Sequence, residues 1–272
     1  MIRSLYSGVS GIRTHQIRMD TLASNIANVN TTGYKAGRAN FQETLAQTLG
    51  RSVTNSTQVG LGVGLAAIDN IFTQGAMQTT GRSLDLAIEG NGFFVVKPVD
   101  TTGTTVENPM YTRDGTFYID KDGYLVNTQG YRVQTSDGAD LQFTTITPDQ
   151  IATISVGTDG SINATGSDGT TEMYTIGICT FNNVESLQRM GSNLWDITPG
   201  VTQWSGGGDD PTPGQPGQEG RGIIRSGYLE MSNVDLAQEF TTMITTERGY
   251  QANARVITTS DEMLRELIDL KR

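Results

Sequence analysis

Two apolar stripes, one near each end of the chain, constrain its fold more than any other feature. Leu5, Val9, Ile12, Met19, Ala23 and Ile26 follow alternating steps of four and three residues, and only Gln16 interrupts them. Leu236, Phe240, Met243, Tyr250, Ala254, Ile257, Leu264 and Ile268 repeat the pattern, interrupted by Glu247 and Asp261. This is the heptad period, in which a stripe stays turned toward a partner helix. The two stripes are therefore expected to bury each other and join the first residues to the last. The fold class that follows is α+β: N- and C-terminal helices packed as a coiled-coil-like pair, with a mainly antiparallel β middle domain.

The middle supports that division. Only 36% of residues are hydrophobic and 18% are charged, while 33 of 272 are glycine, which suits a turn-rich β domain. Leu84 to Glu89 alternates apolar and polar residues before Gly90-Asn91-Gly92 and the run Phe93 to Val96, so the spacing predicts a hairpin. A second is expected where Tyr111 to Ile119 turns at Asp122-Gly123 into Tyr124 to Val126, with Tyr131 to Val133 following Gly130. A third is expected from Ile154 to Val156 through Asp159-Gly160 to Ser161-Ile162. Gly227 to Glu230 reads as a returning strand. Ser205 to Gly222, rich in glycine and proline, is expected to be a mobile surface loop without packed structure.

The remaining segments complete the layout. The first helix is expected from about Arg3 to Val29, closed by Asn28, Asn30 and Thr31-Thr32-Gly33. A short helix is expected over Gln42 to Leu49 and a loop or irregular arm from Arg51 to Gly64. Ser232 is the expected N-cap of the last helix, with Asp235 three residues on. The domain division is then residues 1–33 and 232–272 for the helical part, 34–75 for an extended connector, and 76–231 for the β domain with its loop at 205–222.

Composition excludes several functions. A formal net charge of -10 and a pI near 4.6 repel phosphate, so neither nucleic acid nor an anionic membrane is an expected partner. No apolar run is long enough for membrane insertion, and Ser4, Ser7, Gly8, Ser10 and Gly11 break up the start of the chain, so no Sec signal is expected. Cys179 is the single cysteine, which leaves no intrachain disulfide and no cysteine-based zinc site; its strand-like setting marks it as a small apolar packing residue. His15, the single histidine, falls within the first helix and reads as a flank or packing residue. Gly60-Leu61-Gly62-Val63-Gly64 lacks the third glycine of a nucleotide loop, with Leu65 in its place, and Asp120-Lys121-Asp122-Gly123 lacks a calcium-loop glutamate at Tyr131. The acidic pairs Asp209-Asp210 and Asp261-Glu262 fall in the loop and on a helix. No catalytic, metal or cofactor-binding residues are assigned, and no enzyme is expected.

The run Ala23-Ser24-Asn25-Ile26-Ala27-Asn28-Val29-Asn30-Thr31-Thr32-Gly33-Tyr34-Lys35 resembles the N-terminal signature of bacterial flagellar rod and hook proteins. Leu84 to Phe94, Tyr111-Thr112-Arg113-Asp114-Gly115, and Ser232 to Asp235 through Ile257 to Leu264 resemble that family's internal and C-terminal blocks. The resemblance spans nearly the whole chain, with Thr135 to Arg221 only loosely matched. Ser24 stands where the family usually has Asn, and Glu247 where it usually has Gln.

The resemblance implies a structural subunit of the flagellar hook and basal body, many copies of which form a hollow helical tube that carries motor torque to the filament. Its partners would be further copies, neighbouring rod, hook, cap or junction subunits, and the flagellar type III export apparatus; its place would be outside the cytoplasmic membrane after export. The two stripes become the self-assembly seam, and both terminal helices are expected to order on assembly. Asn25 and Asn28 are open between lateral contacts to neighbouring subunits and local helix capping, which is assigned to Asn30. Phe41-Gln42-Glu43-Thr44-Leu45 is similar to the motif by which early flagellar substrates engage the export gate, with Phe41 and Leu45 as its apolar positions; an amphipathic turn packed against a neighbour is the other reading. Hook protein is the first reading within the family, from the chain ends, and distal rod the second, from the modest length. From another class, a secreted adhesive or carbohydrate-binding β module would use Trp195 and Trp204 as exposed platforms.

Overall fold

The computed structural model describes residues 2–51, 56–100, 105, 108–197 and 212–270. Helix α1 (Ile2–Ala27) and helix α2 (Leu236–Asp269) stand at the chain's ends, and the strands between them pair antiparallel throughout the described residues. At the end of α1 the Asn28 N–H donates to Ser24 O at 3.2 Å, and Gly33 turns the chain with φ +66, a left-handed backbone that costs glycine little. The start of α2 corrects the expected cap. Asp235, not Ser232, is the N-cap, its carboxylate accepting from the N–H groups of Ala237 at 2.9 Å and Gln238 at 3.4 Å. A negative charge in that position also meets the positive end of the helix dipole.

The chain divides into two compact units. The first comprises Met1–Val29, Lys35–Ile71 and Val234–Arg272; the second comprises Asn30–Tyr34 and Phe72–Asn233. In the first unit the helix expected over Gln42 to Leu49 is absent. Gly37–Glu43 pairs with Val63–Asn70, with a bulge between Asn40 and Phe41, and Ala46–Arg51 pairs with Ser56–Gly60. Pairing partners further along the chain override a weak local helical pattern, and the supposed loop supplies those partners.

The second unit is built on an eight-stranded sheet. Its strands run Leu187–Gly191, Leu194–Ile197, Met110–Thr112, Phe93–Lys97, Arg132–Val133, Leu125–Val126 and Tyr118–Ile119, with Ile178–Cys179 also on Phe93–Lys97. A three-stranded sheet follows from Ile151–Val156, Ser161–Gly166 and Thr171–Thr175. The hairpins at Gly123 and Gly160 form as their turns dictate, with φ +80 and +78. The returning strand also forms, Tyr228–Glu230 pairing with Met77–Thr79.

The hairpin expected at Gly90-Asn91-Gly92 does not form. Leu86–Glu89 pairs with Ile223–Ser226, and Phe93–Lys97 belongs to the larger sheet. Gly90 at φ +106 and Gly92 at φ +136 redirect the chain between the two, and a β carbon on Gly92 would stand 2.3 Å from the Ile178 side chain. Leu86, Ala87 and Ile88 are all completely buried, the mark of a strand covered on both faces rather than one arm of a surface hairpin.

Leu86, Ile88, Phe94, Phe117, Leu125, Ile162 and Ile176 centre the larger core, and Phe93, Tyr111, Cys179, Leu187 and Trp195 a smaller one. Burial pushes the Cys179 thiol up to about 12, so it packs as an uncharged small side chain. Residues 205–211 of the glycine- and proline-rich segment lie outside the described residues. The rest of it corrects the expectation of an unpacked loop. Gly214 exchanges two backbone hydrogen bonds with Ile178, at 3.0 and 3.1 Å, and the Gly222 N–H donates to Asn91 O at 2.7 Å. Missing side chains at Gly177 and Gly214 let the segment lie against the sheet.

Candidate assembly surface

Helices α1 and α2 run antiparallel against each other, as Ser4 meets Ser260, Gly8 meets Ile257, Gly11 meets Asn253, and His15 meets Gly249. Apart from Ile257, the contact line runs beside the apolar stripes and not along them. On α1 it follows Ser4, Gly8, Gly11, His15, Arg18, Leu22 and Asn25, a heptad track one residue ahead of the stripe. On α2 the buried positions Thr246 and Ser260, with Gly249 and Asn253 between them, are likewise one residue ahead of Glu247, Asp261, Tyr250 and Ala254.

Packing explains the displacement. Large side chains hold helix axes apart, whereas glycine, serine and threonine let backbones approach. A β carbon added to Gly11 would stand 2.7 Å from Asn253 Nδ2, and one added to Gly249 would stand 2.7 Å from the His15 ring. The Ser4 and Ser260 hydroxyls lie 3.3 Å apart, and Thr14 and Thr246 turn their hydroxyls onto carbonyls of their own helices. Close polar packing inside the unit leaves the large apolar residues on its flank.

The expectation that the two stripes bury each other is therefore corrected. None of their residues is buried: Leu5, Ile12, Met19, Ile26, Met243, Ala254, Ile257 and Leu264 are half-buried, and Ala23 is exposed. Val9, Leu236, Phe240, Tyr250 and Ile268 are 38%, 40%, 49%, 41% and 65% exposed. A surface of this kind is unusual for a chain that stays alone in water. The sequence does carry a signal for this contact: Ser4, Gly8 and Gly11 on α1 and Thr246, Gly249 and Ser260 on α2 are small residues at heptad steps beside the apolar ones.

Asn25 is 1% exposed, its Nδ2 donates to Gly37 O at 2.9 Å, and its Oδ1 accepts from the Gly37 N–H at 2.9 Å. A third contact, to Glu239 Oε2 at 3.4 Å, ties the end of α1 to the start of α2. Its amide is bonded within the subunit to Gly37 and Glu239. Asn28 donates from Nδ2 to Ser24 O at 2.9 Å, a bond to the last turn of α1. Phe41 is half-buried in its strand, edge-on to His15 at 6.2 Å and beneath the Arg18 guanidinium at 5.9 Å, while Leu45 is 81% exposed.

His15 packs as expected, and burial first, then the Arg18 charge, lowers its pKa from the ordinary 6.5. The neutral ring is the form that fits. A lowered folded pKa means that this contribution to stability is fully present above 6.5 and is lost as pH falls through the folded value. Titration followed by NMR should give a midpoint below 6.5, and His15→Gln should flatten the acid side of the helix-stability profile; an unchanged profile overturns the assignment.

Trp195 is 2% exposed, so it offers no platform for a glycan, and Trp204 lies outside the described residues. Among the described residues no group of three or more acidic, histidine or cysteine side chains is arranged to hold a metal ion, and no helix is long and apolar enough to cross a membrane.

Three family models match the chain. The C-terminal domain of the flagellar basal body rod FlgEFG proteins matches residues 225–270, the D1 domain of the flagellar hook protein FlgE/F/G matches 87–164, and the flagella basal body rod protein matches 5–35. The flagellar basal-body rod protein FlgG of Bacillus subtilis is 42% identical over 281 positions that cover both chains completely. The rod protein FlgG of Borreliella burgdorferi is 39% identical over 285 positions, again with both chains covered, and its hook protein FlgE is 30% identical over 448. With terminal helices, antiparallel β domain and full-length similarity in agreement, this chain belongs to the family of flagellar basal-body rod and hook proteins.

Proposed function

We propose that the chain is a distal-rod subunit of the bacterial flagellum, one of many copies that build a straight hollow tube and pass torque along it. As a member of its family it is an axial structural protein and not an enzyme. The observation favouring rod over the hook reading is length. The rod relatives align over 281 and 285 positions, close to the 272 residues of this chain, whereas the hook relative requires 448, which this chain can fill only with long gaps. The chain ends that resemble hook proteins belong to the assembly helices that both types share.

In this reading the half-exposed stripes of α1 and α2 are the surfaces that neighbouring copies cover, in a coiled-coil-like arrangement between subunits. Full burial of each large stripe residue contributes about 1.5–3 kcal/mol, less the cost of ordering the side chain. Export through the type III channel belongs to the same reading. Because Phe41 packs on His15 in the folded chain, any engagement with the gate has to precede folding. Secretion that persists in Phe41→Ala leaves packing as its only role.

The decisive experiment is immunogold electron microscopy of isolated hook and basal-body particles, with antibody raised against residues 135–221. Label on the straight segment beneath the hook is expected. Label along the curved external segment reassigns the chain to the hook, and absence from both removes the axial reading.

A further inference from the structure

A deeply buried charge pair sits where the chain leaves the β unit. Arg113 Nη1 and Glu230 Oε2 are 3.2 Å apart, with side chains 7% and 0% exposed. Desolvation pulls the guanidinium pKa down, opposed by the attraction of Glu230, so the pair is an expensive feature to keep inside a fold. Its hydrogen bonds show what it holds. Glu230 Oε1 accepts from the Gly75 N–H at 2.9 Å, Glu230 O accepts from the Gly33 N–H at 2.8 Å, and Arg113 Nη2 donates to Gly90 O at 2.8 Å.

Every segment by which the β unit joins the rest of the chain is gathered here. The unit is entered and left through residues 30–34, entered again at Phe72, and left finally at Asn233. Gly33 and Gly75 bond directly to Glu230. Met231 N–H donates to Ala76 O at 2.8 Å, and Asn233 Nδ2 donates to Thr73 Oγ1 at 2.9 Å. The approach is tight enough that a β carbon on Gly75 would stand 2.0 Å from Met231 O, and one on Gly33 would stand 2.7 Å from Asp114 N. Phe72 and Tyr34 are anchored separately, by Trp195 at 4.9 Å between ring centroids and by the Arg189 guanidinium at 4.8 Å.

We infer that Arg113 and Glu230 form a mechanical clamp that binds the entering and leaving segments into one stiff root, making them positioning residues for torque transfer. The inference deepens the reading of the chain as a torque-bearing subunit and rests on it for its mechanical consequence. A hydrogen-bonded charge pair suits the task because it is directional: apolar side chains in the same volume would fill space without fixing the Gly75 backbone. Tension on any one segment is passed through Glu230 to the others and through Arg113 to Gly90 in the sheet.

Two measurements test the clamp. In the native monomer, amide exchange at Gly33, Gly75 and Met231 should be as slow as at core positions such as Val95 and Ile162, to within about tenfold; exchange faster by about a thousandfold or more means the root is frayed and overturns the inference. In the double variant Arg113→Met with Glu230→Met, Gly75 should exchange at least tenfold faster while Val95 and Ile162 keep their native rates, and polymers of the variant should show a several-fold shorter persistence length in electron micrographs. Unchanged exchange at Gly75, a rise shared equally by the core, or polymers as stiff as the parent would each overturn it. Since the exchange arm uses monomer alone, failure of the parent to polymerise would count against the assembly reading and leave the clamp result standing.

Discussion

Phe240→Asp is expected to abolish polymerisation while leaving the monomer folded. The Phe240 side chain is 49% exposed on α2, so about half of it remains open for a neighbour to cover. In a polymer the substitution places a carboxylate in an apolar contact. Loss of about 3 kcal/mol of burial per contact corresponds to roughly a hundredfold rise in the concentration needed for growth, since every 1.4 kcal/mol is a factor of ten. Desolvation of the carboxylate adds to this. Sedimentation and negative-stain microscopy should find no tubes at concentrations where the parent assembles, with circular dichroism and thermal unfolding unchanged. Tubes at parental concentration would mean that the α2 stripe faces solvent in the assembly.

The second large effect concerns Arg113→Met as a single substitution. It leaves the Glu230 carboxylate in place, completely buried and bonded to Gly75, with the Arg113 guanidinium taken away. Breaking a buried pair from one side costs about 3–5 kcal/mol, because an uncompensated charge remains in the interior. Against the 5–15 kcal/mol typical of a domain, this is enough to bring unfolding near to working temperature. Denaturant titration should show the midpoint falling with little change in slope. Adding Glu230→Met should recover most of the loss, since the charge is then removed altogether. A single variant as stable as the parent would show that water or a shifted side chain replaces the guanidinium.

The sequence disclosed the two helices and most turns because those depend on local chemistry: heptad spacing for α1 and α2, and glycine at φ +80 or +78 for the hairpins at Gly123 and Gly160. It misplaced features decided by distant segments. Leu86–Glu89 looks like half of a hairpin until Ile223–Ser226, more than a hundred residues later, takes its edge. The run from Gln42 to Leu49 has no strong preference of its own, and the partners at residues 56–70 make it strand. The apolar stripes were legible, but the line where the two helices meet was not, since hydrophobicity says which residues avoid water and not which backbone comes close enough to cover them. Asn25 fits its role only through Gly37, twelve residues on, a contact that no helix pattern encodes.

The glycines of the helix pair carry a further consequence. Gly8, Gly11 and Gly249 each weaken a helix by about 1 kcal/mol relative to alanine, so neither segment is a strong helix in isolation. Each becomes helical on the condition that the other is there to fill the space beside it. A chain of this kind tests its own completeness: a molecule truncated at one end forfeits the helix at the other as well. Damaged copies are then rejected by a failure to acquire shape, before any contact with a neighbour is made.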